Sequence, residues 1–344
     1  MLWRYMKFMV VEGDMVETIE GLIFDVKGLI HPPSRIIAFI RYFPDKVGKR
    51  TRKGVTYGKV YSLSKRYDLL RAKFPQYLVY DSVLDETLCE VPTDAVSKLH
   101  YPVEKLRKIR NSKSLDPLEA SALQLTKSVK KKAGIPWHAI GISGSIMVSL
   151  HTKDSDIDPV IYGSLECRKA HRALQNLLKD GKPSFRVYNR EDLKTLFGFR
   201  SKDTEISFED FVQTEARKSV QGKFQGRDFF VRFVKTLKEV KEKYGDVHYR
   251  NVGRARIRAT VDDDSESIFT PCSYKIREVE TIEGTMANQI VEIASFRGRF
   301  CEQAKTGETV VAQGKVELVC NVRENREYFR LLIGNKPSDF MILA

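Results

Sequence analysis

The stretch Ala139-Ile-Gly-Ile-Ser-Gly-Ser-Ile-Met-Val-Ser-Leu-His-Thr-Lys-Asp-Ser-Asp-Ile-Asp-Pro-Val-Ile-Tyr162 decides how the centre of this chain is read. An apolar strand around Trp137 to Ile142 delivers the backbone to Ser143-Gly144-Ser145, and one or two helical turns follow from Ile146. Glycine allows close approach of the backbone. The free N–H groups of a first helical turn, with the Ser145 hydroxyl beside them, suit a phosphate. A polar loop, His151 to Ser155, then leads to a strand from Asp156 to Tyr162. Residues i and i+2 of a strand share a face, so Asp156 and Asp158 project together. Two carboxylates that close repel each other unless a cation lies between them. Mg²⁺ is the expected cation, because it takes hard oxygen ligands from one or two carboxylates plus substrate phosphates. Pro159 cannot donate to a ladder, so this strand is expected at a sheet edge or with a bulge.

Outward from this centre, Asp116, Pro117 and Glu119 form a helix start, as cap, first helical residue and third position. Leu118, Ala122, Leu125 and Val129 continue at helical spacing, and Lys130-Lys-Lys132 precede the stop at Gly134. Ser164 is expected to cap a further helix that runs to about Lys179 and closes at Gly181. Another helix is expected from about Phe208 to Val220. Strands are expected at Asp228 to Val234 and Arg254 to Val261. Residues 1 to about 100 read as β-rich, from Gly21-Leu-Ile-Phe-Asp-Val-Lys-Gly28 and Arg35-Ile-Ile-Ala-Phe-Ile-Arg-Tyr-Phe43. The basic loop Lys49-Arg-Thr-Arg-Lys-Gly54 lies among them, and no chemistry attaches to it from sequence. Beyond Asp262-Asp-Asp264, strands at Ser273 to Ile276, Ile290 to Phe296, Thr309 to Val319 and Glu327 to Ile333 suggest a small β-barrel or sandwich. The expected architecture is therefore a multidomain α+β chain. It has a β-rich N-terminal domain (1–102), a central α/β domain with a mixed sheet (103–262) and a β-barrel-like C-terminal domain (263–344).

With 344 residues, 42% of them hydrophobic, the chain can bury more than one core. A formal net charge of +14 points to a polyanionic partner such as RNA, DNA or a nucleotide. No apolar run approaches the roughly 20 residues of a spanning helix, so no membrane association is expected. Arg4 and Lys7 lead into Glu12-Gly13-Asp14 without an apolar core, which argues against a secretory leader. The five cysteines are widely spaced and form no CxxC pair, so neither a zinc cluster nor a disulfide framework is expected, and the chain reads as cytoplasmic.

The order strand, Gly144-Ser145, short helix, ten intervening residues and Asp156-Ile157-Asp158 resembles the DNA-polymerase-β-like nucleotidyltransferase superfamily, and especially its small "minimal" members. That resemblance covers about 120 residues. The whole chain also looks like archaeal predicted nucleotidyltransferases of unassigned substrate, through stretches such as Glu20 to Gly28 and Ser295-Phe-Arg-Gly-Arg-Phe-Cys-Glu302. Val148 and Ser149 stand where minimal members often carry Arg and Gly. The resemblance implies Asp156 and Asp158 as catalytic metal ligands for Mg²⁺ or Mn²⁺, with Gly144 and Ser145 binding an NTP. It also implies a third carboxylate on a later strand, with Asp228 favoured over Asp262. The implied reaction moves a nucleoside monophosphate from an NTP to a hydroxyl with release of pyrophosphate, and the charge favours RNA as acceptor. A protein or small-molecule hydroxyl is the alternative acceptor, and a non-catalytic nucleotide- or RNA-binding protein is the alternative of another class.

Other features carry two readings each. Arg254, Arg256 and Arg258 alternate along one strand and could track phosphates or pair with carboxylates. Arg297-Gly298-Arg299 between Phe296 and Phe300 could serve a nucleic-acid-binding barrel, or the aromatics could be core. Asp262-Asp-Asp264 could hold a metal or form an acidic turn. His151 could approach substrate or simply be solvated.

Overall fold

The computed structural model describes residues 9–180, 184–285 and 289–344. Arg4, Lys7 and Gly181 lie outside them. Contacts gather the chain into two compact units. One comprises Met1–Val79, Leu88–Arg186 and Ser219–Lys241; the other comprises Tyr80–Thr87, Val187–Lys218 and Glu242–Ala344. The fold is a mixture of helices and several sheets, as an α+β reading expects.

In the first unit an antiparallel sheet runs in the order Arg50–Arg52, Val55–Lys59, Arg35–Pro44, Ile23–Val26, Met15–Thr18, Val96–His100. Its two faces are both covered, which is why Ile23-Phe-Asp-Val26 is buried throughout instead of alternating. Val16, Phe24, Ile36, Ala38 and Ile40 make one core with Leu70 of the helix Leu63–Lys73 and with Tyr77. The intervening residues Met15, Ile23 and Tyr42, joined by Tyr57, pack on Met147, Val148 and Leu150, the residues just after Gly144-Ser145. The N-terminal sheet is thus seated on the segment that opens the candidate site.

The central sheet has the order Arg232–Val234, Pro159–Tyr162, Ile140–Ile142, the first pair parallel and the second antiparallel. Pro159–Tyr162 is therefore the middle strand, not the expected edge. Pro159 is the first residue of the strand, a position where proline is tolerated, and it pairs with Ile142. The strand at Trp137 to Ile142 shortens to Ile140–Ile142, with a 3₁₀ turn over Trp137–Ala139. The helix Pro117–Ala133 has the expected ends: Asp116 accepts from the N–H groups of Leu118 and Glu119, and Gly134 closes it at φ 65°. Ser164 is the first residue of the helix Ser164–Lys179 and not its cap. Gly163, at φ 93°, precedes it, and the Glu239 carboxylate accepts the Ser164 N–H. This helix buries Ala170, Leu174, Leu177 and Leu178 at helical spacing, each leucine worth roughly 1.5–3 kcal/mol of transfer free energy.

In the second unit a six-stranded sheet closes on itself. The order is Val247–Asp263, Cys272–Gly284, Ile290–Ser295, Arg326–Leu332, Thr309–Asn321, and the last pairs back with the first. Phe340–Leu343 adds to Thr309–Asn321. Ile290–Ser295 and Arg326–Leu332 are parallel, the other pairs antiparallel. Ile257, Val261, Tyr274, Ile293, Val310, Val316 and Leu331 fill the interior. The expected boundary at 262 falls inside the 17-residue strand Val247–Asp263, so Arg254 to Val261 belongs to this barrel. The expected helix Phe208 to Val220 ends at Glu215, and a helix over Arg190–Arg200 with an Asn189–Asp192 capping box stands before it.

Candidate functional site

The chain turns from Ile140–Ile142 into a four-residue helix, Gly144–Met147. Gly144 holds φ 64°, and a Cβ there would lie 1.9 Å from Oδ2 of Asp158. Only glycine lets the carboxylate pack on this turn. The turn is pinned at its base: the Ser143 N–H donates to the Asp158 carbonyl (2.9 Å), and the Ser143 hydroxyl donates to the Gly13 carbonyl (2.6 Å). Ser145 is buried, and its hydroxyl has no hydrogen-bond partner. A buried polar atom left unpaired costs about 1–3 kcal/mol, which is tolerated where a ligand supplies the partner.

Asp156 and Asp158 flank Ile157, which is fully buried and bridges in parallel to Phe229. Both acids precede the strand, which begins at Pro159 and not at Asp156 as expected, and the charge of Asp156 acts on Asp158. Asp156 is exposed, while Asp158 sits deeper. Burial, and then the charge of Asp156, raise the Asp158 carboxyl to about 7, with Arg232, Lys59 and Arg41 pulling the other way. The pair therefore resists carrying two negative charges until a cation joins it.

The cationic surroundings come from the N-terminal sheet, which sequence reading left without chemistry. Lys59 is pressed against Tyr61 and Tyr42, 4.6 and 6.0 Å from the ring centroids. Burial and Arg41 lower its pKa, while Asp156 holds it up. Arg50 donates to the Leu150 carbonyl and reaches the Ser155 hydroxyl (3.4 Å), tying the basic loop to the polar loop before the acids. Behind the pair, Arg232 reaches Glu12 (2.9 Å) and Asp25 (3.2 Å), and Asp25 also meets Lys27 (2.9 Å). The signal for this layer was present: Asp25 is a charged residue inside an apolar strand, and a buried acid needs a partner. The partner, Arg232, stands more than 200 residues away in sequence.

Asp228 lies on the strand Arg227–Phe230, next to the acid strand. Its carbonyl accepts the Ile157 N–H (2.9 Å), and the parallel bridge puts it level with Asp156. Its half-exposed carboxylate pairs with Lys223 (2.9 Å). Among the described residues no group of three or more His, Cys, Asp or Glu is arranged to hold a metal. Asp262 belongs to the barrel unit, where it pairs with Arg277. His151 Nε2 meets Asp116 (2.8 Å), and its Nδ1 is buried without a partner.

The remaining motifs resolve toward structure. Arg254 pairs with the buried Asp339, and Arg256 bonds Gln313 (2.8 Å) and stacks on Phe340. Arg297 bonds Asp203 (2.9 Å) and Phe300 is core, so the Arg297-Gly-Arg299 motif faces the unit's own helical segment. The acids of the turn are met by protein partners: Asp262 pairs with Arg277 (3.4 Å), Asp263 accepts the Ser265 N–H (2.8 Å), and Asp264 accepts from the Thr306 hydroxyl (2.7 Å). No helix among the described residues is long and apolar enough to cross a membrane.

No family model and no solved structure matches the chain. It is similar to a protein of the archaeon Methanocaldococcus jannaschii described as "Uncharacterized protein MJ1086", with 32% identity over 341 residues, covering 95% of this chain and 96% of that protein. With an aligned length that takes in both units, the chain belongs to the family of this archaeal protein.

Proposed function

We propose that the first unit is a metal-dependent nucleotidyltransferase that moves a nucleoside monophosphate from an NTP to a hydroxyl, with RNA the favoured acceptor. The observation that carries this reading is the seat of Asp158 on Gly144, next in sequence to the buried, unpartnered Ser145 hydroxyl, with the charge of Asp156 acting on Asp158. Asp156 and Asp158 offer hard oxygen ligands that fit Mg²⁺ or Mn²⁺, provided the substrate's phosphates complete the shell. When bound, that ion supplies charge neutralisation at the phosphates. The chain's own residues do the rest. Ser145 donates its hydroxyl to a phosphate oxygen, Lys59 and Arg41 screen the triphosphate charge, and the Gly144 turn keeps the reacting groups in register. Asp228 stands level with Asp156 and joins the pair once Lys223 releases it. RNA is favoured by the +14 net charge.

A second reading is nucleotide binding without transfer. The Lys223–Asp228 ion pair favours it, because it leaves two acids where the resemblance implies three. The test is Mn²⁺-dependent NTP binding by calorimetry. The proposal expects binding that needs Mn²⁺, falls at least tenfold in Ser145→Ala, and is lost in Asp158→Asn. Binding indifferent to all three would remove the site from consideration.

A further inference from the structure

The helices Pro102–Asn111 and Pro117–Ala133 of the first unit present a cationic face that the candidate site does not use. Each helix contains one acid, Glu104 in the first and Glu119 in the second. Glu119 is taken by Lys105 (2.8 Å), and Lys132 turns away to Asp180 (3.3 Å). Arg107, Lys108, Arg110, Lys127, Lys130 and Lys131 pair with no carboxylate among the described residues. All are exposed except Lys130, which is half-buried. Lys127, Lys130 and Lys131 share one side of their helix through the three- and four-residue spacing, where like charges repel.

Trp137 draws the cations of the two helices together. Its ring centre lies 4.0 Å from the Arg110 guanidinium carbon and 5.4 Å from Lys130 Nζ. An aromatic ring fixes a cation without cancelling its charge, so both stay available to an anion. The carbonyl dipoles at the helix ends account for Lys108, Arg110, Lys130 and Lys131, which stand in last turns. They do not account for Arg107 or Lys127, which stand earlier. No large apolar side chain between residues 102 and 138 is exposed, so the face lacks what inserts into a lipid surface. The face is also fixed to the strand that leads into Gly144. Gly141 of Ile140–Ile142 packs so closely on Pro102 that a Cβ there would lie 2.4 Å from the Pro102 Cβ.

We infer that this face is the surface on which the first unit holds RNA. Arg107, Arg110, Lys127 and Lys131 meet the phosphates of the strand, and Trp137 sets the position of Arg110 and Lys130. Charge complementarity selects a polyanion, and the choice of RNA among polyanions rests on the acceptor proposed above. The strand is held by its backbone, so the face reads no sequence.

The test titrates the full chain into a labelled, unstructured RNA oligonucleotide, in EDTA and without NTP, over a series of salt concentrations. Fluorescence anisotropy reads the binding. Arg107→Gln/Lys127→Gln/Lys131→Gln should bind at least tenfold more weakly. It should also flatten the slope of log affinity against log salt by about 2, at roughly 0.7 for each lost phosphate contact. Lys65→Gln/Lys305→Gln/Lys336→Gln removes the same charge from exposed positions elsewhere and should bind as the unaltered chain does. Arg107→Lys/Lys127→Arg/Lys131→Arg should keep the affinity. In the unaltered chain RNA should protect Lys127 and Lys131 from acetylation, a readout that needs no variant to fold. Asp156→Ala/Asp158→Ala should bind RNA undiminished, so a failure of nucleotidyl transfer and a failure of this inference are told apart. Equal losses in the two glutamine triples, no protection of Lys127 and Lys131, or displacement of the RNA by polyglutamate at equal charge overturns the inference.

Discussion

Gly144→Ala isolates the contact on which the candidate site is built. Two costs add. A non-glycine residue at φ 64° pays roughly 1–2 kcal/mol for the left-handed conformation. Its Cβ would also stand 1.9 Å from Oδ2 and 2.8 Å from Cγ of Asp158. Relieving that overlap means moving a short side chain on a packed segment, which costs roughly 1–3 kcal/mol as overpacking does. The substitution should therefore destabilise the first unit by about 2–5 kcal/mol. In an Asp158→Ala background the obstructing carboxylate is gone, and only the backbone share of about 1–2 kcal/mol should remain. Urea unfolding followed by tryptophan fluorescence reads the right unit, since Trp137 lies in the first unit. The four variants of this cycle should show a coupling of about 1–3 kcal/mol. A coupling near zero would mean that Asp158 does not rest on Gly144, and the geometry argued for the site would fall with it.

In metal-free protein, Asp158 makes folding pH-dependent. Burial and the charge of Asp156 raise it from the ordinary 3.8 to about 7, so its contribution is present at low pH and is lost as pH rises from about 4 through 7. Thermal unfolding in EDTA should show this fall, Asp158→Asn should flatten it, and Mn²⁺ should restore stability near pH 8 only in the unaltered chain. His31 titrates in the opposite sense: burial lowers it from 6.5 to about 4, so its contribution is lost as pH falls through that window. His31→Gln should remove up to roughly 3 kcal/mol of acid sensitivity between pH 6.5 and 4, measured by urea midpoints. If Asp228 completes the acid set, Asp228→Asn should lower transfer at least 100-fold while NTP binding persists, whereas unchanged transfer would leave it as a surface partner of Lys223. Arg254→Met strips the fully buried Asp339 of its cation, and a loss of about 3 kcal/mol in the second unit's stability is expected, read by hydrogen exchange of its strands.

What the sequence made legible was local. Asp116-Pro117 and Gly134 set the ends of a helix by capping chemistry, which needs no partner from elsewhere. The Gly-Ser turn and the acid pair were readable because their residues are close in sequence, although the strand expected from Asp156 begins only at Pro159 and Ile157 is held by an isolated bridge to Phe229. The long-range features were not readable. Pro159 looked like an edge residue because sequence does not reveal that it begins its strand with neighbours on both sides. The seat of the N-terminal sheet on Met147, Val148 and Leu150 depends on the opposite faces of strands whose residues are all apolar, so periodicity carried no sign of it. The basic loop gained a role only once Arg50 was seen to reach Leu150 and Ser155. Arg297 and Arg299 could be read as serving a nucleic-acid-binding barrel, but both reach Asp203, which lies some 90 residues away.

The most direct test incubates the full chain with each α-labelled NTP, Mg²⁺ or Mn²⁺ and total RNA, beside an Asp156→Ala/Asp158→Ala control. The account predicts label in RNA from the unaltered chain, pyrophosphate in equal amount, and neither from the control. Label that appears equally with the control, or RNA that binds both forms alike while no label transfers with any NTP or metal, would contradict it.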